Sequence, residues 1–199
     1  MLEQLTFDGF GARSPWRRSA ERQPVFFAFR PDAKATAQIA GLVQQLCDRH
    51  SLQEPPIAPE RLHVSPQFLG NYGNAPQGMV AVANEIFSAI SIPPFEVAFD
   101  RAATFRNNSL RCPVVLYPAI GNAAVTALDD ALGAAMIKRG VRASPALHRT
   151  RHLTLAYDEQ VVPDQAIDVI GWTVREVVLT HSVHGQSRHV DLARWALCA

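Results

Sequence analysis

Two short segments of the chain carry residue types suited to proton transfer on a phosphate group. In each, a histidine is followed two positions later by a hydroxyl residue: His63 by Ser65, and His152 by Thr154. Histidine can accept or donate a proton near neutral pH, and a hydroxyl can donate a hydrogen bond to an anionic oxygen. Alternate residues of a strand share one face, so each segment should present its imidazole and its hydroxyl on the same side.

If the two polar faces meet across one cleft, that cleft holds two imidazoles and two hydroxyls. A phosphodiester between them could accept hydrogen bonds from Ser65 and Thr154. One imidazole would take a proton from the attacking water or hydroxyl, and the other would protonate the leaving oxygen. A base rather than a metal ion activates the nucleophile, so neither a metal nor another cofactor is predicted.

The two segments belong to an internal repeat. His63 and His152 are 89 positions apart, and the same offset places residues 24–27 on 113–116 and Pro56 on Pro145. Each half is predicted to contain a strand, a helix, a proline-containing loop and a histidine strand, in that order. A single histidine in a strand is usually structural, but equivalent positions in a repeat favour a paired site.

Hydrophobic periodicity and proline positions predict an α+β fold. Helices are expected over residues 33–50, 77–90 and 122–139, and strands over 25–30, 62–69, 95–105, 113–117, 151–157, 172–182 and 190–197. The repeat predicts two lobes related by a pseudo-twofold axis, each a mostly antiparallel sheet with helices outside, and a central groove between them. Pro66 lacks a backbone donor, so the first histidine strand should lie at a sheet edge or be distorted there.

Strict alternation also predicts which side of the strand each neighbour of the histidines faces. Gln67 should share the groove-facing side with His63, and Ala156 should share it with His152. Phe68 and Tyr157 should point into the core.

Composition limits the class of protein. Residues 24–199 are expected to form one domain of two intertwined lobes, and residues 1–23 lack an apolar stretch typical of a secretory signal and should form a flexible or surface-docked arm. No apolar run approaches the roughly 20 residues that a membrane span needs. The three cysteines are widely spaced, which predicts a reducing, cytoplasmic setting. A formal net charge of +1 argues against nonspecific binding of duplex DNA, and a monomer is expected.

Two further groups of residues could bind ligands. Arg149 and Arg151 flank the second histidine segment, where they could steer RNA phosphates into the groove or simply belong to a solvated, arginine-rich loop. A second group has residue types that bind metals: His181, His184, His189 and Asp191. A hairpin in this segment would put His181 and His184 on opposite sides of a strand, which argues against a metal site. Ser182 could instead line the groove.

The segments His63-Val64-Ser65-Pro66 and His152-Leu153-Thr154-Leu155 resemble the two tetrapeptides of the 2H phosphoesterases. The continuation Gln67-Phe68-Leu69-Gly70 and the closing residues 192–197 are similar to its 2′-5′ RNA ligase-like branch. Ser65 stands where threonine is commoner, which keeps the hydroxyl.

This resemblance implies a bilobal fold and hydrolysis of a 2′,3′-cyclic phosphate on RNA or a nucleotide to the 2′-phosphate, with reversible 2′-5′ ligation in some members. It also implies that His63 protonates the leaving 3′-oxygen, that His152 activates water, and that Ser65 and Thr154 hold the nonbridging oxygens. In a pseudo-symmetric site, the roles of the two histidines as proton donor and proton acceptor could also be exchanged. Two alternatives stay open: a noncatalytic module that binds RNA ends or nucleotides, and a phosphodiesterase for another cyclic or 2′-5′ linked nucleotide.

Overall fold

The computed structural model describes residues 23–72, 78–143, 150–183 and 188–198. They form helices α1–α3, strands β1–β8 and one 3-10 turn at Pro59–Arg61. In chain order the elements are β1 (Gln23–Ala28), α1 (Ala33–His50), β2 (Phe68–Tyr72), α2 (Met79–Ser88), β3 (Phe95–Thr104), β4 (Cys112–Tyr117), α3 (Ala123–Lys138), β5 (Leu153–Asp158), β6 (Gln165–Val174), β7 (Glu176–Val183) and β8 (Arg188–Ala196). The expected arm falls almost entirely on residues 1–22, outside the described residues.

The strands form two four-stranded antiparallel sheets, one per lobe. One sheet has the order β2-β1-β7-β8 and the other the order β5-β4-β3-β6. Strands β1 and β4 occupy matching places in the two sheets, as do β2 and β5. The α+β class and the two-lobe duplication expected from the repeat are therefore confirmed.

The two halves of the repeat exchange strands. Strand β3 lies in the first half of the sequence but pairs with β4 and β6 of the second half. In the other direction, β7 belongs to the second half and pairs with β1 of the first. Each lobe is thus built from both halves of the chain.

Helix α1 shows how local sequence sets an element. Asp32 caps its first turn, because the Asp32 Oδ1 accepts a hydrogen bond of 2.8 Å from the backbone N–H of Ala35. Its buried residues recur at helical spacing and face the core. Ser51 ends the helix in the left-handed conformation, with φ of 55°. The predicted range 33–50 is confirmed.

The single strand predicted over 172–182 is wrong. The chain forms two strands there, β6 ending at Val174 and β7 beginning at Glu176, and each belongs to a different sheet. Strand β6 pairs with β3 and β7 pairs with β1, so the chain passes from one lobe to the other at Arg175. No glycine or proline marks this change of partner.

The first histidine segment is less regular than predicted. Strand β2 begins only at Phe68. Before it, Val64 makes two isolated antiparallel bridges, one with Phe29 and one with Leu153. Strand β2 lies at the edge of its sheet. The edge or distortion expected from Pro66 is confirmed in both respects.

The strict alternation predicted next to the histidines is wrong in two places. Gln67 is only 2% exposed instead of facing the groove. Phe68 is half-buried and packs against Phe26 and Val178 instead of joining the main core. In β5 a bulge at Leu155 reverses the alternation, because Thr154 pairs with Val115 whereas Ala156 pairs with Val114. Ala156 is therefore buried and Tyr157 is 50% exposed.

One hydrophobic core runs through both lobes. It includes fully buried side chains from each sheet, such as Phe27 and Phe29 on one side and Leu116 and Leu155 on the other. Among the described helices, none is long and apolar enough to cross a membrane.

Candidate active site

A cavity of about 140 Å³ opens where the two histidine segments meet. Its walls contain five of the predicted site residues together with the backbone neighbour Thr150. The lining residues are His63, Ser65, Thr150, Arg151, His152 and Thr154. The remaining predicted residue, Arg149, lies outside the described residues.

The bridge between Val64 and Leu153 positions the cavity residues. These two residues are equivalent under the 89-residue offset, so the pseudo-twofold axis passes between them. Both side chains are buried in the common core, which turns the flanking residues toward the cavity. Because the bridge is antiparallel, His63 lies on the side of Thr154, and His152 lies on the side of Ser65.

Both imidazoles are held in the same tautomer. The Nδ1 of His63 lies 2.7 Å from the carbonyl oxygen of Arg61, and the Nδ1 of His152 lies 2.9 Å from that of Thr150. A carbonyl oxygen only accepts, so each Nδ1 carries the hydrogen. The Nε2 atom of each ring is then the one that can take up or give a proton in the chemistry. Arg61 and Thr150 are themselves equivalent in the repeat.

The ring of His63 is packed between aromatic groups of its own lobe. It stacks on Phe26 with ring centroids 4.9 Å apart and an interplanar angle of 23°. His189 meets it edge-on at 5.1 Å. These contacts fix the plane of the imidazole.

Burial and nearby cations disfavour the protonated form of His63. Burial is the main cause that lowers the pKa of His63 to about 4, and the charges of Arg30, Arg61 and His152 lower it further. The hydrogen bond to the Arg61 carbonyl acts in the opposite direction. In the absence of a bound anion, His63 is therefore neutral at neutral pH.

His189 contacts the ring of His63, although the sequence analysis considered it only as a candidate metal ligand. Strand pairing places it opposite Ser182, on the face that was expected to line the groove, so pairing β7 with β8 would have revealed it. Burial first, and then the charge of His63, lower the pKa of His189 to about 3. His181 pairs with the next residue along, Val190, and so faces the opposite side of the sheet. His184 lies outside the described residues, and the described ones contain no group of three potential metal ligands.

A half-buried acidic residue holds one of the cations beside His63 and His189. Asp191 accepts two hydrogen bonds from Arg30, at 2.6 and 2.9 Å, and one from Arg194 at 2.6 Å. The paired fork of Arg30 is therefore fixed in orientation.

On the other lobe, Arg151 forms an ion pair with Asp129 of helix α3. Asp129 is 2% exposed, and its Oδ1 also accepts a hydrogen bond of 2.7 Å from the side-chain amide of Gln67. Burial raises the pKa of Asp129, while the contacts with Arg151 and Gln67 oppose that rise. The guanidinium of Arg151 is thus held in the cavity wall by a buried carboxylate.

The histidine environment predicts a loss of stability in mild acid. The folded-state pKa values of His63 and His189 lie below the ordinary value of 6.5, so below about pH 6.5 the unfolded chain binds more protons than the folded one. We expect the free energy of unfolding to be steady above about pH 7 and to fall as the pH decreases toward 4. Urea denaturation at a series of pH values measures it.

The matched variants for this measurement are His189→Gln and His50→Gln. His50 lies at the end of α1, where its Nε2 is 2.9 Å from the side chain of Gln165, away from the cavity. Between pH 6.5 and 4, the free energy of unfolding should fall less in His189→Gln than in His50→Gln. An equal fall in both variants would contradict the proposed cause.

Known proteins resemble this chain both in sequence and in structure. The sequence profile of the 2′-5′ RNA ligase superfamily matches residues 31–186, whereas no curated protein sequence matches. The chain is similar in structure to E. coli LigT in apo form, with a TM-score of 0.70, 23% identity and coverage of 90% of this chain and 99% of that one. It is also similar to E. coli LigT complexed with 3′-AMP (TM-score 0.66, 22% identity, 90% and 99% covered). A third similar structure is TT0787 of Thermus thermophilus (TM-score 0.63, 17% identity, 87% and 97% covered).

At these identities the structural likeness establishes the fold alone. The family match covers most of the chain, from the residues between β1 and α1 to just beyond the end of β7. The chain therefore belongs to the 2′-5′ RNA ligase superfamily of phosphoesterases.

Proposed function

We propose that this protein hydrolyses 2′,3′-cyclic phosphate ends of RNA or nucleotides to 2′-phosphates, without a metal ion. The observation that carries the proposal is the cavity in which two imidazoles of fixed tautomer and two hydroxyls surround one space. Ser65 and Thr154 donate hydrogen bonds to the nonbridging phosphate oxygens. Arg151, in the same wall, adds positive charge near the phosphate.

The reaction needs one proton acceptor and one donor. Water attacks phosphorus and loses its proton to one Nε2, while the bond from phosphorus to the 3′-oxygen breaks and that oxygen receives a proton from the other Nε2. The products are a 2′-phosphomonoester and a free 3′-hydroxyl. Attack by the 5′-hydroxyl of an RNA in place of water would form a 2′-5′ linkage.

We propose that His63 is the acceptor and His152 the donor, which is the reverse of the assignment that the family resemblance implies. Arg30 and Arg61 lie beside His63 and oppose its protonation. A bound phosphate favours the charged form of both imidazoles. A protonated His152 can donate from Nδ1 to the Thr150 carbonyl and from Nε2 to the leaving oxygen at once.

A sulfur leaving atom distinguishes the two assignments. In a 2′,3′-cyclic substrate with sulfur in place of the 3′-oxygen, the leaving atom is that sulfur. It departs as a thiolate, which needs little protonation. We expect His152→Ala to lose at least tenfold less activity on the sulfur substrate than on its oxygen counterpart, because donor catalysis is typically worth about 10²–10⁴-fold. His63→Ala should lose the same factor on both. If His63→Ala is the variant rescued by sulfur, the roles are those that the resemblance implies.

Turnover in the presence of a chelator tests the activity itself. We expect the protein to convert adenosine 2′,3′-cyclic phosphate to adenosine 2′-phosphate at the same rate with and without EDTA, as followed by phosphorus NMR. Binding of the cyclic nucleotide without product would instead identify a noncatalytic module. Loss of turnover on chelation would contradict the metal-independent mechanism.

A further inference from the structure

One guanidinium group beside the cavity has no counter-charge. Arg61 is the last residue of the 3-10 turn Pro59–Arg61, which packs against β8. Its side chain is half-buried, and its Nε is buried without a hydrogen-bond partner. No acidic residue in the described segments lies within ion-pair distance of it. A cationic donor withdrawn from water costs free energy unless an anion pairs with it.

Two neighbouring side chains have unpaired nitrogen atoms in the same region. Arg30 uses two of its nitrogens on Asp191, but its Nε is buried and has no partner. The Nδ1 of His189 is likewise buried and unpaired, and the ring of His189 meets that of His63 edge-on. Besides burial, the charges of Arg30 and Arg61 lower the pKa of both His63 and His189. Both guanidinium groups therefore lie near both rings.

The nearby carboxylates balance only part of this positive charge. Asp191 is shared between Arg30 and Arg194, and Arg194 also pairs with Glu176. The charge of Arg61 remains uncompensated. An arginine fork fits the oxygens of a phosphate through two parallel hydrogen bonds, so a phosphate is the anion that this group is best suited to bind.

The lobe of His152 lacks this excess of positive charge. Under the 89-residue offset, Arg61 corresponds to Thr150 and Arg30 to Ala119, and neither of these carries a charge. The cation in that wall of the cavity, Arg151, is paired with a buried carboxylate. The duplicated motifs treat a phosphate between them alike from both sides. The excess on the side of His63 therefore concerns a group other than the reacting phosphate.

We propose that Arg61, together with Arg30 and His189, forms a second phosphate subsite beside the cavity, which binds the phosphate next to the reacting one in an RNA strand. This inference rests on the proposed function for the position of the reacting phosphate. Such a subsite favours the ends of RNA over mononucleosides, because only a strand carries a second phosphate at that distance.

The second phosphate has two possible sources that share one chemistry. It is either the 5′-phosphate of the nucleotide that carries the cyclic end, or the first 3′-phosphate of an RNA whose 5′-hydroxyl attacks that end. In both cases one ribose separates it from the reacting phosphate.

Equilibrium binding at a fixed salt concentration tests the subsite with two pairs of probes, each pair differing by one phosphate. The first pair is adenosine 2′-phosphate and adenosine 2′,5′-bisphosphate, which tests the 5′-phosphate of the terminal nucleotide. The second pair is a 2′-5′ linked diadenosine with and without a phosphate on the 3′-oxygen of its second nucleoside, which tests the attacking strand. The first nucleoside of this dinucleotide lacks the 3′-hydroxyl, so the probe cannot cyclise.

In at least one pair, we expect the wild-type protein to bind the probe with the second phosphate about tenfold more tightly, because charged donors strengthen hydrogen bonds to phosphate. Arg61→Gln should lose most of this gain, and the pair that shows it identifies the source. The matched control is Arg175→Gln. Arg175 is exposed and precedes β7, at the end opposite to the pair formed by Ser182 and His189, so this variant should keep the gain.

Three results would overturn the inference. They are the absence of a gain in both pairs for the wild-type protein, full retention of the gain in Arg61→Gln, and an equal loss of the gain in Arg61→Gln and Arg175→Gln. The last would show attraction by overall charge alone. A gain that depends on Arg61 without turnover of the cyclic nucleotide would refute the proposed activity and leave the subsite standing.

Discussion

Replacing either His63 or His152 with alanine is expected to lower kcat for adenosine 2′,3′-cyclic phosphate by about 10²–10⁴-fold. That loss corresponds to about 3–5 kcal/mol of the activation barrier. Each variant removes one of the two proton transfers and leaves the hydroxyls of Ser65 and Thr154 to bind the phosphate. Steady-state kinetics should therefore show a large change in kcat and a small change in KM.

The double variant should lose less than the product of the two single losses, because the two histidines act on the same transition state. The control is His50→Ala, which removes an imidazole outside the cavity and should leave kcat unchanged. Near-wild-type turnover in either single variant would refute the two-histidine mechanism.

Removing the carboxylate of Asp129 is expected to lower the free energy of unfolding by about 3–5 kcal/mol. In Asp129→Ala the guanidinium of Arg151 loses its ion-pair partner, and the side-chain amide of Gln67 loses the acceptor of its 2.7 Å hydrogen bond. The side chain of Arg151 is 16% exposed, so water replaces only part of these interactions. Urea denaturation at pH 7.5 measures the change.

Asp130 provides a matched control on the same helix. Its side chain is exposed, and Asp130→Ala should change the free energy of unfolding by less than about 0.5 kcal/mol. If Asp129→Ala proves no more destabilising than Asp130→Ala, the buried ion pair does not stabilise the fold. Because Arg151 lines the cavity, Asp129→Ala should also weaken phosphate binding, which titration with inorganic phosphate can measure.

Local signals made much of the fold predictable. The capping of α1 by Asp32 and its apolar spacing make that helix predictable, and the 89-residue offset makes Val64 and Leu153, which form a bridge, equivalent positions. The change of sheet at Arg175 was not predictable in this way, because it depends on which distant strands pair with β6 and β7.

The site was predictable where residues lie close in sequence and not where they meet only in the fold. The two histidine segments could be recognised from their own residues. His189 reaches His63 across 126 positions, and Asp129 reaches Arg151 from helix α3.

The exchange of strands between the two halves has a consequence for how the chain can be divided. A fragment ending in the segment between β3 and β4 would retain β1 and β2 but lack their neighbours β7 and β8, and its β3 would have no partner. Such a fragment exposes unpaired strand edges, which favour aggregation. The two repeats are therefore not separable folding modules. A nascent chain completes neither sheet until its C-terminal strands have been synthesised.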